Sequence, residues 1–288
     1  MTAPATNPFD GRFTTHRVIV NGLQLSYTDW NRKASSVFLL VHGLHVQGHV
    51  WDPLAAELAR EHRVICPDLR GHGDSHWARE DGYWTPNFVA DLHALVQALG
   101  VGPVVYVGHS LGARIGYVYG AWHPGDLRGM VLADTAPSMP QDAARIVSGI
   151  VGGGKMPAGF RTREEARGYY AATYPEWKPV FHDLHALHQL RENWAGRFVN
   201  KHDPDIYWIT RSAGLSEQPM LWESAAKADV PALVMWGERS PYLDRALLDR
   251  IVGTMPRAQA AVLPSGHAIP REVPDEFLRE TLRFAGSL

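Results

Sequence analysis

The chain has 288 residues, of which 45% are hydrophobic, 20% charged and 10% aromatic, so it is not a disordered, collagenous or fibrous protein. Its net charge of −2 offers no basic surface to nucleic acid or anionic lipid. The lone cysteine, Cys66, precludes an internal disulfide and fits a reducing compartment. Met1–Phe13 lacks the basic and apolar regions of a secretion signal, and no apolar run approaches the ~18 residues of a membrane span.

Arg17–Val20 and Gln24–Thr28 flank Asn21-Gly22, a hairpin signal. Ser36–Val41 is continuously apolar, as expected of a strand covered on both faces. Trp51–Arg60 has helical spacing, Arg63–Cys66 reads as a short strand, and Phe88–Leu99 reads as a helix stopped by Gly100. Val104–Val107 and Met130–Ala133 are two more strands, separated by a helix that starts near Leu111. From Ser138 to about Ala228 the strand pattern gives way to helical or irregular segments rich in Trp, Tyr and His. The β/α rhythm returns at Pro231–Trp236, at Ala260–Leu263 and in a last helix, Asp275–Phe284. This alternation predicts an α/β fold with a mostly parallel central sheet flanked by helices. A helical cap (138–228) is expected after the sixth strand, between the two halves of the core, 1–137 and 229–288.

The sharpest motif is Gly108-His-Ser110-Leu-Gly112, a G-x-S-x-G placed between strand and helix. A tight turn there lifts one hydroxyl above the sheet edge, and the following helix N-terminus offers free N–H groups to a developing oxyanion. His42-Gly43-Leu44 closes another buried strand. Leu44 and Leu111 are therefore the expected oxyanion donors, while His42 is kept as a substrate contact although a loop-shaping role is preferred. Gly266-His267 follows the last strand, where a general base is expected.

These motifs resemble the α/β-hydrolase family, as does the loop Asp68-Leu-Arg-Gly-His-Gly-Asp74-Ser75, read here as structural. The resemblance implies a Ser110–His267–acid triad. In most of the family the acid follows the seventh strand, but that position is Ser240 here. Asp134, after the sixth strand, is the expected acid, with Glu238 or no acid as alternatives. An acid so placed, together with Gly108-His-Ser-Leu-Gly-Ala-Arg114 and the serine in the later acid slot, resembles the hydrolases of bacterial pyridine-ring catabolism, of the (E)-2-(acetamidomethylene)succinate hydrolase type. That likeness implies catabolism of an aromatic or N-heterocyclic compound. In the cap it rests on Arg145 and Tyr174-Pro175. Thr173 and His185 fall where two arginines for a dicarboxylate are expected, which suggests a less anionic substrate.

Other signals are weaker. Gly149–Lys155 mimics a phosphate loop but lacks the preceding strand and the magnesium-ligating hydroxyl, and is read as a cap loop. His182, His185 and His188 spread around a helix, without the spacing of a zinc site. Trp177, Trp194, Trp208 and Trp222 are read as cap packing, one or two of them lining a pocket. Arg163 and Glu165 are read as a solvated face.

The expectation is a soluble, cytoplasmic serine esterase or amidase, monomer or homodimer, with a small-molecule substrate and without nucleic-acid partner, membrane partner, metal or cofactor. His42, Arg145, Tyr174, Trp177 and His185 are its candidate substrate contacts. Three alternatives stay open: a cofactor-independent ring-cleaving dioxygenase, a C–C bond hydrolase, and a receptor that retains the pocket.

Overall fold

The computed structural model describes residues 6–79, 82–138, 140, 157–207, 209 and 216–288. Strands β1 (Phe13–Val20) and β2 (Leu23–Trp30) form the hairpin expected at Asn21-Gly22, with Val20 opposite Leu23. Both turn residues have positive φ, 49° and 76°, which a two-residue turn between right-twisted strands requires. Then come β3 (Val37–Val41), helix α1 (Asp52–Leu58), β4 (Arg63–Pro67), α2 (Thr85–Leu99), β5 (Val104–His109), α3 (Leu111–Trp122) and β6 (Leu127–Ala133). After the inserted segment the chain completes β9 (Ala232–Gly237), α7 (Arg245–Thr254), β10 (Ala258–Leu263), α8 (Ile269–Glu272) and α9 (Pro274–Ala285).

One eight-stranded sheet results, in the order β1-β2-β4-β3-β5-β6-β9-β10. Only β2 runs antiparallel to its neighbours, so the sheet is mostly parallel, as expected. The apolar run at β3 is explained by its two covered faces. Val37, Leu39 and Val41 join the core layer under α2 and α3, whereas Phe38 and Leu40 join the layer under α1 and α9.

Between β6 and β9 the described residues form α4 (Arg163–Thr173), α5 (Pro179–His188), β7 (Leu190–Glu192), β8 (Phe198–Asn200) and α6 (Gln218–Lys227). The β7–β8 hairpin departs from the expected helical or irregular insertion. Its strands are three residues each, too short to show a pattern of their own. The turn is held by Asn193, whose Oδ1 accepts from the N–H groups of Ala195 and Arg197, and by Gly196 at φ 69°. Trp194 at its tip is 98% exposed, which corrects its reading as a packing residue. Arg163 is corrected as well. It is half-buried, donates to the Ala186 and Leu187 carbonyls, and so ties α4 to the end of α5. Gly149–Lys155, Trp208 and Arg145 lie outside the described residues.

The insertion is docked on the loop after β4. Asp203 N–H donates to Gly71 O at 2.8 Å, the Tyr83 hydroxyl donates to Asp203, and Lys201 pairs with Asp74 at 2.9 Å. Asp68 holds that loop by accepting from the N–H groups of Gly48 and Asp74. Among the described residues, no helix is long and apolar enough to cross a membrane.

Candidate active site

The serine between β5 and α3 sits in a strained elbow. Ser110 has φ 54° and ψ −113°, a conformation that costs about 1–3 kcal/mol and persists only where the surroundings enforce it. They do so through close approach. A Cβ on Gly108 would lie 2.4 Å from Gly112 O, and one on Gly112 would lie 2.2 Å from Val41 O. Both glycines of the motif are therefore needed to press the start of α3 against β5 and the end of β3.

The turn brings Ser110 Oγ to 3.1 Å from His267 Nε2. On the other side of that ring, Nδ1–H donates to Asp134 Oδ2 at 2.6 Å. Asp134 is fully buried just beyond β6 and adopts φ 56°, a left-handed conformation that aspartate tolerates better than most residues. Its Oδ1 accepts from Gly237 N–H at 3.1 Å, and its Oδ2 accepts from the Ser240 hydroxyl. The serine that replaces the family's usual acid thus serves the acid that stands in for it. Glu238, the alternative acid, is 52% exposed at its side chain and lies against Arg239, not His267.

His267 is fixed from two further sides. His109 Nε2–H donates to its carbonyl at 2.7 Å, and the Tyr242 ring lies 4.1 Å from its imidazole, centroid to centroid. Burial holds the His109 pKa well below its ordinary value, so this ring is a neutral prop.

Ser110 and His267 open into a cavity of about 440 Å³ with mainly apolar walls. Leu44, Leu111, Tyr174, Trp177 and His185 all line it. Neither Leu44 nor Leu111 directs its N–H to a protein acceptor among the described residues, and Leu111 opens α3, where backbone N–H groups have no intrahelical partner. His42 is not among the wall residues and is fully buried, which corrects its place among the substrate contacts. Its Nε2 accepts from Leu69 N–H at 3.0 Å while Nδ1–H donates to Gly43 O at 2.7 Å. Burial lowers its pKa to about 4, so a neutral imidazole shapes the loop beside Leu44.

The sequence did not mark the cations of this wall as substrate contacts. Arg114 reaches the wall from α3 but is neutralised by Glu217 at 2.7 Å. Arg271, in the first turn of α8, is buried with its guanidinium 4.4 Å over the Trp177 ring, and burial pulls its pKa down to about 10. Trp177 in turn stacks on Tyr174 at 4.1 Å and lies 4.8 Å from the His185 ring. His185 Nδ1–H donates to Phe181 O, and burial lowers its pKa to about 3. An unpaired cation on a wall becomes visible only when its would-be partners are placed.

Among the described residues, two groups outside this cavity have metal-ligand composition, His49–Asp52–His188 and His93–His123–Asp126. In each, the two imidazoles stack at 3.8 Å and within 15° of parallel. Ring lone pairs in parallel planes do not converge on one ion, so either group would have to rotate a ring to bind a metal.

The chain matches the α/β hydrolase fold family over residues 36–271 and belongs to that family of hydrolytic enzymes. It is 29% identical to 2-(acetamidomethylene)succinate hydrolase of Mesorhizobium japonicum, over 92% of both chains. It is 28% identical to 3-hydroxybutyrate-oligomer hydrolase of Cupriavidus necator, over 85% of this chain and 87% of that one. The crystal structure of E-2-(acetamidomethylene)succinate hydrolase superposes with a TM-score of 0.83 at 23% identity, covering 95% of this chain and 99% of the other.

Proposed function

We propose that the protein is a serine hydrolase that cleaves a small ester, amide or enamide through an acyl-enzyme. One observation carries this reading: Ser110 Oγ, His267 and buried Asp134 stand in hydrogen-bonding sequence, the first two on the wall of a mainly apolar cavity. The relatives' names support the substrate range, since a 3-hydroxybutyrate oligomer is an ester and an acetamidomethylene group an enamide.

His267 Nε2 takes the Ser110 proton as Oγ attacks the carbonyl carbon. Asp134 holds the imidazole in the tautomer that leaves Nε2 free, and balances the imidazolium that forms. The N–H groups of Leu44 and Leu111 receive the tetrahedral oxyanion, and losing one such donor raises a barrier by about 3 kcal/mol. His267 then protonates the leaving group, and water, activated by the same ring, hydrolyses the acyl-enzyme. The mechanism draws on side chains and backbone alone.

The test is pre-steady-state release of p-nitrophenol from short acyl esters. We expect a burst stoichiometric with enzyme and its loss in Ser110→Ala. Full turnover in that variant refutes the proposal, and oxygen uptake with a hydroxyquinolone, without ester cleavage, would place the chain among ring-cleaving dioxygenases instead.

A further inference from the structure

The cavity wall carries a charge that the hydrolytic mechanism does not use. Arg271 is only 7% exposed, yet its guanidinium makes no ion pair and no hydrogen bond with any described residue, and Glu272, next in the chain, acts on it only through space. Its chain neighbour Glu272 is already occupied by the N–H groups of Gly266 and Ala268, at 2.6 and 3.1 Å, and by Arg239. Buried charges are ordinarily paired, because water is no longer there to stabilise them. Two further donors on this wall, the Tyr170 hydroxyl and the Gln189 amide, are also buried without partners among the described residues. Tyr170 is linked to Arg271 through ring contacts, Trp177 to His185 and His185 to Tyr170 at 4.8 and 5.3 Å. Arg114, the other cation on the cavity wall among the described residues, is neutralised by Glu217. His185 is neutral and adds no charge.

We infer that Arg271 anchors a single carboxylate on the substrate. The substrate class is then a monoanionic carboxylic acid whose scissile ester or amide lies elsewhere on the same small, otherwise apolar molecule. Planar guanidinium donors match a carboxylate in two parallel hydrogen bonds, and the Trp177 face beneath holds the fork in one orientation. One free cation selects one negative charge. This inference rests on the hydrolase reading above for the bond that is cleaved, but not for the anion.

The test uses p-nitrophenyl monoesters of adipic, pimelic and suberic acids beside the p-nitrophenyl esters of hexanoic, heptanoic and octanoic acids. The homologous series finds the spacing between anion and scissile carbonyl. We expect wild type to favour the best acid over its uncharged counterpart by roughly 10- to 100-fold in kcat/KM, mainly through KM, the range of a charge-assisted hydrogen-bond pair. That ratio should collapse toward one in Arg271→Met and be partly kept in Arg271→Lys. A wild-type ratio near one, or a full ratio surviving in Arg271→Met, overturns the inference. The wild-type ratio decides even where the methionine variant does not fold.

Binding is read separately in Ser110→Ala, by tryptophan fluorescence, with monomethyl adipate against dimethyl adipate. If the monoanion binds at least about tenfold tighter and Arg271→Met removes the difference while wild type cleaves no ester, the anchor stands and the hydrolase reading falls. Equal binding of the two probes, with both ester series cleaved alike, leaves the hydrolase reading and sinks the anchor.

Discussion

Asp134 shows how one displaced carboxylate can be made to serve. It reaches His267 from the end of β6, accepts from Gly237 N–H, and receives the hydroxyl of the residue that occupies the usual acid position. Asp134→Asn removes the charge and disturbs the ring's tautomer. We expect kcat to fall by roughly 10³- to 10⁴-fold with the fold intact, measured as steady-state ester hydrolysis beside a thermal melt. Ser240→Ala removes one hydrogen bond to the same carboxylate and leaves those from Gly237 and His267. A loss of about tenfold in kcat with little change in KM is the expected result, since hydrogen bonds to charged groups contribute on that order. An unchanged kcat would mean that the Ser240 contact only fills space. The serine motif and the late histidine were legible because each lies at a strand end, where the turn demands particular residues. Asp134 was legible only by elimination, through the serine at the later acid position. For His42 the preferred loop-shaping role fits its two backbone partners, but the sequence could not strike it from the substrate contacts, because a histidine beside an oxyanion loop looks the same whether its ring faces substrate or backbone.

The decisive contact between elements is the crossing of α3 over the ends of β3 and β5. It is close because Gly112 has no side chain. Gly112→Ala would set a Cβ 2.2 Å from Val41 O, backbone on both sides, so neither partner can swing aside. We expect a loss of about 3 kcal/mol or more in urea-induced unfolding, with activity falling further as the elbow shifts. A variant as stable as wild type would show that α3 can slide. Most core elements were legible because their lengths and periods are set locally: β3 reads as an apolar run and α2 stops at Gly100 in a left-handed conformation. The β7–β8 hairpin was not, since three-residue strands owe their pairing to the Asn193–Gly196 turn and to Phe160 packed against Phe198.

The molecule as a whole buries several imidazoles in neutral form, and this gives its stability a direction with pH. Burial lowers the pKa of His42 to about 4 and of His185 to about 3, against an ordinary 6.5. Below pH 6.5 the unfolded chain binds protons at these rings that the folded chain refuses. Their contribution is therefore complete above that value and is lost as the pH falls, each ring by up to about 1.4 kcal/mol per pH unit. We expect the melting temperature to fall steadily from pH 7 to pH 5, and the fall to be shallower in His185→Gln. A flat profile across that interval would contradict neutral burial. Nothing in the composition, with its 15 histidines, singles out the buried ones.

What could be read from the residues alone was the α/β class, the order of the core elements, and the serine, histidine and acid to test. All but the acid are fixed by local rules: apolar period, turn chemistry, and the few residue types that a tight elbow accepts. What required coordinates was everything that depends on which groups remain without partners. The chain order cannot say that Arg114 meets Glu217 while Arg271 meets no carboxylate among the described residues, or that Ser240 turns toward Asp134. Those facts arise from side chains far apart in sequence that share one small volume, where a charge is either neutralised or left for a ligand.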